Sequence, residues 1–237
     1  MEQIAKTNLQ QRATQAFERW LAKIDLPAYG KGEDLFNAIS HFAGAAFGIV
    51  AFALTVDTCM AHPSVRGFAA AIIYSFSIIT LYAASGAYHL AKPSNLKRVL
   101  RVVDHCTIYL LIAGSYTPVL FLGLWECPAM PYLFAFEWGV ALVGIIMNAI
   151  DMNAFRTKAI SMVSYIAMGW AIAVTPLDEL FAVGSAWMPW VLAGGIVYML
   201  GLIFYGTGSK VRYMHGVWHV FVLAGTVLQF IGFFMLF

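Results

Sequence analysis

Charge is what this chain has least of. Only 11% of its 237 residues are Asp, Glu, Lys or Arg, against 61% hydrophobic, far outside the range of soluble globular domains. The shortage is organised along the chain. Windows 35–56, 67–91, 105–125, 159–177, 180–209 and 213–237 carry no such residue, and 132–150 carries only Glu137. Each can supply the roughly 20 residues an α-helix needs to cross the hydrocarbon core. Seven such helices use nearly everything after residue 34, which leaves no room for a soluble catalytic domain. Cysteine is scarce as well: 3 residues exclude a disulfide scaffold. A Cys59–Cys127 pair near the predicted outer face is conceivable, whereas Cys106 reads as a small packing residue. No apolar run precedes residue 35, so nothing reads as a secretory signal.

The basic residues are few but one-sided. Lys6, Arg12, Arg19, Lys23 and Lys31 precede the first run. Lys92, Lys97, Arg98 and Arg101 follow the second, Arg156 and Lys158 the fourth, and Lys210 and Arg212 the sixth; of the 14, only Arg66 falls on the other side. Positive charge stays cytoplasmic. The expectation is an all-α membrane protein with seven transmembrane helices, a cytoplasmic N-terminus and an external C-terminus. The net charge of +2 reflects this bias and implies no nucleic-acid partner. Two regions follow, an N-terminal cytoplasmic segment (1–34) and a transmembrane domain (35–237). Within the first, Leu9, Ala13, Phe17, Trp20, Leu21 and Ile24 recur at spacings of three and four. That pattern predicts a short amphipathic helix on the cytoplasmic leaflet, the alternative being a loosely ordered tail.

Ionisable residues inside membrane helices are costly and tend to face the bundle interior. Here they gather at one set of helix ends. His89 closes the second run, Asp104 precedes the third, and His215 and His219 open the seventh. The four-residue spacing of His215 and His219 puts both imidazoles on one helix face, about 6 Å apart at the backbone. Ser85 stands one turn deeper than His89. A short basic loop (91–101) makes the second and third helices antiparallel neighbours. Three imidazoles with an open fourth position form a common catalytic zinc arrangement, and a nearby carboxylate could serve as general base. The competing reading is a hydrogen-bonded polar cluster that only ties three helices together.

Other residues are more ambiguous. Glu33, Asn37 and His41 share one face where the first helix enters the membrane. His41 could be a fourth ligand, a second-layer partner of the metal site or a proton relay, with plain packing as the alternative. His105 points about 100° away from Asp104 around the helix. Pro118 interrupts helix three, either opening a cavity or adapting packing. Small-residue pairs such as Gly44 and Gly48, or Gly194 and Gly195, suit close helix approach.

In order along the chain, Glu33-x3-Asn37-x3-His41, Ser85-x3-His89, Asp104-His105, Gly114-Ser115-Tyr116-Thr117-Pro118 and His215-x2-Trp218-His219 resemble the hemolysin III family. That family is the bacterial branch of the progestin and adipoQ receptors, and the match runs from Glu33 to His219. The resemblance implies a multi-pass protein of the bacterial inner membrane, linked to membrane lipid homeostasis. From adiponectin receptors and alkaline ceramidases of the same superfamily it implies Zn2+ held by His89, His215 and His219. Asp104 then matches the aspartate that contacts the water beside the metal, and Ser85 the serine at the site.

The leading expectation is a zinc-dependent hydrolase of a lipid amide or ester, with membrane lipids as substrate and Asp104 and Ser85 as catalytic residues. The alternative is a non-enzymatic sensor of membrane lipid state with a structural zinc. An ion or proton conduit is weakest, because the outer half offers few charges to complete a path.

Overall fold

The structure is a computed structural model. It describes the backbone of residues 2–208 and 211–237, and the side chains of those ranges from residue 9 onward. It is all-helical: α1 (Glu2–Ala22), α2 (Lys31–Ala61), α3 (Val65–Leu90), α4 (Asn95–Pro118), α5 (Met130–Asp151), α6 (Phe155–Gly169), the short α7 (Leu177–Ala182), α8 (Met188–Thr207) and α9 (Met214–Phe234). Among the described residues, 6 helices are long and apolar enough to cross a membrane: α2, α3, α4 with its extension to Gly123, α5, α8 and α9.

Two predicted runs differ from single long helices. The run 159–177 becomes the 15-residue α6 and a 3-10 turn, Ala171–Val174. At 1.5 Å per residue, α6 alone spans about 22 Å, short of the roughly 30 Å hydrocarbon core. The run 180–209 breaks between α7 and α8, where Gly184 adopts φ +103°, a conformation open to a residue without Cβ.

Helix starts also lie earlier than the charge-free windows suggest. The loop expected over 91–101 shrinks to 91–94, because the Ser94 hydroxyl accepts from the Lys97 N–H (3.2 Å) and caps α4. Lys97, Arg98 and Arg101 therefore lie on the helix. Charge marks where the bilayer ends, not where the helix does.

Packing proceeds around an incomplete ring. α2 lies against α3 and α9, α3 against α4, α4 against α5, α5 against α6, and α8 against α9; no packing of similar extent joins α6 to α8. Gly44 of α2 is covered by the Tyr82 ring of α3, and Gly194 of α8 lies against the Gly225 carbonyl and Gln229 of α9. Both contacts use the missing Cβ for close approach. Gly195, by contrast, has open space beside it and lines a cavity. At Pro118 the helix passes into a π-helical turn, Val119–Gly123, closed by a 2.7 Å bond from the Leu124 N–H to the Val119 carbonyl.

Large apolar side chains such as Ile49, Leu142 and Ile203 face outward, while Asn37, His41, His89, Glu137 and His219 are buried. That polarity is the inverse of a soluble protein's and suits a bilayer. The amphipathic face of α1 is divided between two partners. Trp20 donates to the Ala149 carbonyl (2.8 Å), and Leu21 and Ile24 pack with Val102 and Met152. Leu9 and Phe17 remain exposed. Cys59 and Cys127 are buried free thiols, so the conceivable pairing is not formed.

Candidate metal centre

The start of α2, the end of α3 and the start of α9 meet at one end of the bundle. Glu33 builds that junction. Its Oε2 accepts from the Gly30 N–H (2.8 Å), capping its own helix, and its Oε1 accepts from the Tyr213 N–H (2.8 Å). Tyr213 has φ +63°, an uncommon left-handed conformation for a residue with a side chain. Held in that turn, α9 starts with His215 in its first turn, against α2.

His89, His215 and His219 converge there, each with one ring nitrogen within 4.8 Å of the others. The Nε2 atoms of His215 and His219 are 3.1 Å apart. His219 Nδ1 lies 3.4 Å from the Asn37 carbonyl, which leaves Nε2 for the cluster. His89 Nδ1 faces Asp34 Oδ1 at 3.0 Å, so its Nε2 faces inward; that atom is buried with no hydrogen-bond partner. Metal–nitrogen bonds of roughly 2.0–2.1 Å on a tetrahedral ion put ligand nitrogens about 3.4 Å apart. Three imidazoles on two helices, α3 and α9, one with a stranded buried lone pair, fit a metal ion. Most buried polar atoms are paired, so an unpartnered nitrogen facing two imidazoles suits a metal ion better than a plain hydrogen-bonded cluster.

Aromatic rings enclose the centre. Tyr29 stacks on His215 (5.2 Å between centroids) and Tyr88 leans on His89 (4.6 Å). Burial raises the Tyr29 phenol above its ordinary pKa range, so it stays neutral. His41 stacks on His219 and meets Tyr82 edge-on, and both its nitrogens lack partners.

Asp104 does not join the three histidines, and Ser85 is on the wall beside them. Both line a cavity of about 150 Å3 together with His41, His215 and His219. The cavity continues between α6 (Met162, Ile166) and α8 (Met199, Leu202), where the ring is incomplete, and reaches Gln229 on α9. From His215 to Gln229 the helix rises about 21 Å, so the cavity is long as well as apolar. His105 lines it too, but its Nδ1–H donates to the Arg101 carbonyl (2.9 Å) and it stands outside the cluster. Ser115 and Tyr116, just before Pro118, also contribute to the wall.

Residues 29–230 match the profile of the family described as haemolysin-III related. The chain belongs to the haemolysin-III family. It is 36% identical over 201 residues to the Bacillus cereus protein named hemolysin-3, covering 84% of this chain and 89% of that one. It is 33% identical over 200 residues to the hemolysin-3 homolog of Bacillus subtilis (strain 168), covering 84% and 91%. The human monocyte to macrophage differentiation factor is 28% identical over 168 residues, covering 67% of this chain and 66% of the human one. The resemblance read from the ordered motifs is thus established.

Residue spacing alone does not reveal Asp34 or Lys97, which meet His89 and each other at the site. Asp34 sits beside Glu33 and three residues before Asn37, in an acidic pair that reads as ordinary helix-start chemistry. Lys97 counts towards the positive-inside bias, and nothing in the sequence marks it as buried. A carboxylate three residues ahead of Asn37 on the same face was the one available signal.

Proposed function

We propose that this haemolysin-III protein is a zinc-dependent hydrolase of membrane lipids, cleaving a ceramide-like amide or an ester. One observation carries the reading: the buried, partnerless His89 Nε2 faces two converging imidazoles at the end of a long apolar cavity. Three neutral nitrogens suit zinc. When bound, zinc supplies Lewis acidity towards a carbonyl and makes water nucleophilic near neutral pH.

The chain's own residues supply the rest. His89, His215 and His219 hold the ion, and Asn37 orients His219 through its main-chain carbonyl. The Asp104 carboxylate takes a proton from the water as it adds to the carbonyl carbon and returns it to the leaving amine or alkoxide as the C–N or C–O bond breaks. The Ser85 hydroxyl orients the reacting group or donates to the developing oxyanion. Leu81, Ile108, Met199 and Leu202 exclude water from an acyl chain. A substrate diffusing in the bilayer enters where α6 and α8 leave the ring incomplete.

The same reading assigns the topology. α6 with its 3-10 extension completes a seventh crossing, the N-terminus is cytoplasmic and the C-terminus external, on the basic-residue asymmetry. The exposed Leu9 and Phe17 of α1 rest on the cytoplasmic leaflet. The protein is a multi-pass protein of the bacterial inner membrane that acts in lipid homeostasis.

The test is turnover. Zinc-loaded protein in nanodiscs is offered ceramides and acyl lipids, and released fatty acid is quantified. No release across the panel, with zinc fully bound, sinks the hydrolase reading. The same cavity would then favour a sensor of membrane lipid state with a structural metal.

A further inference from the structure

We propose that Asp34, clamped by Lys97, is a positioning residue that sets the metal affinity of the histidine cluster by fixing the orientation of His89. The inference rests on the metal reading above and extends it to two residues that reading does not use.

Three consecutive membrane helices each supply one member of a line. Asp34 stands in the first turn of α2, His89 in the last turn of α3 and Lys97 in the first turn of α4. Asp34 Oδ1 is 3.0 Å from His89 Nδ1, and Asp34 Oδ2 accepts from Lys97 Nζ at 2.9 Å. An ionised carboxylate can only accept a hydrogen bond. The proton of neutral His89 therefore resides on Nδ1, and the bare lone pair is on Nε2, the atom left without a partner among the histidines. Asn37 Nδ2 also lies near His89 Nδ1, at 3.4 Å. It is a donor at the longer distance, so Asp34 is the partner that decides the tautomer.

Lys97 makes the arrangement stiff. Its side chain is 4% exposed, and its ammonium stands 5.3 Å from the centre of the Tyr88 ring. A buried ammonium requires a compensating partner, and Asp34 is the carboxylate within reach. With each oxygen committed to a different helix, Asp34 has little freedom to turn away from His89. Carboxylate partners of ligating histidines hold the ring in place and raise its basicity, and their loss typically weakens metal binding about 10- to 100-fold. A plain helix-tying ion pair would act on stability alone.

The experiment measures zinc affinity and metal-free stability side by side, on the full chain in detergent micelles. Wild type, Asp34→Asn and Lys97→Met are titrated with zinc against a chromophoric chelator, and each melting temperature is taken with chelator in excess. Cobalt(II) spectra of the same proteins report the ligand field. Asp34→Asn is expected to weaken zinc about 10- to 100-fold and to shift the cobalt bands; its metal-free melting temperature falls as well, because the buried Lys97 ammonium loses its partner, so the affinity and not the stability decides. Lys97→Met is expected to fall between the two. Wild-type zinc affinity in Asp34→Asn overturns the proposal, as does lowered stability with unchanged affinity. Should Asp34→Asn fail to fold, Lys97→Met decides, and unchanged affinity there overturns the clamp. Wild type that binds no zinc overturns the metal reading itself, a result distinct from all of these.

Discussion

The His41 ring lies flat against His219, with 3.6 Å between centroids and 25° between planes. Metals bind imidazole in the ring plane, along a nitrogen lone pair. A face-stacked neighbour is therefore turned away from an ion held by His219. His41→Phe keeps the stacked ring and removes both nitrogens, so about one zinc per chain should remain by elemental analysis. Loss of zinc from that variant would make His41 a fourth ligand. Retained zinc with lost turnover would assign its unpaired nitrogens to the substrate.

Metal retention should follow the cluster. Purified protein is expected to carry about one zinc per chain. His215→Ala or His219→Ala should lose most of it, whereas His62→Ala, outside the cluster, should not. Full occupancy in a His89→Ala, His215→Ala double variant would show that the ligands lie elsewhere.

Asp104 lines the cavity without joining the histidines, which separates its role from theirs. Asp104→Asn keeps size and an acceptor but cannot take a proton. Zinc content and melting temperature should stay near wild type, while fatty-acid release falls by about two to four orders of magnitude. Unchanged release removes Asp104 from the mechanism.

Close packing of α2 on α3 predicts a stability effect far from any chemistry. A Cβ on Gly44 would run into the Tyr82 ring, whose hydroxyl is hydrogen-bonded to Thr226 of α9 at 2.7 Å. Gly44→Ala should cost about 1–3 kcal/mol, the usual penalty of overpacking, read as a lower melting temperature. Gly139, inside α5, has no neighbour within 4 Å of such a Cβ, and Gly139→Ala should leave stability unlowered, raising it by up to about 1 kcal/mol.

Topology is open to labelling. Arg156→Cys and Arg212→Cys should react with an impermeant thiol reagent only after the cells are opened, and Arg66→Cys in intact cells. The reverse pattern would move the metal centre to the opposite face of the membrane.

Much of this protein was legible in one dimension because the bilayer imposes one-dimensional rules. Length, apolarity and the side preference of Lys and Arg depend on depth alone, so the helical class and the ends where His89, His215 and His219 lie follow from the sequence. The four-residue spacing of His215 and His219 places two candidate ligands on one helix face without any knowledge of neighbours. Features that do not depend on depth leave no such trace. The apolar run 180–209 could not reveal its break, because the turn at Gly184 depends on backbone conformation. Nor could residues 159–177 show how short a helix they form.

The sequence by itself determined an all-helical membrane protein, its family and three histidines at one depth. Only the tertiary structure decided what surrounds them. Asp34 reaches His89 across 55 positions of chain and meets Lys97 across 63, and those contacts exist because helix rotation turns the start of α2 towards the end of α3 and the start of α4. Likewise, the cavity exists because α6 turns to α4 and α5 while α8 packs on α9. Helix rotation and choice of neighbour are set by packing between side chains distant in sequence, which leaves no periodic mark in the chain itself.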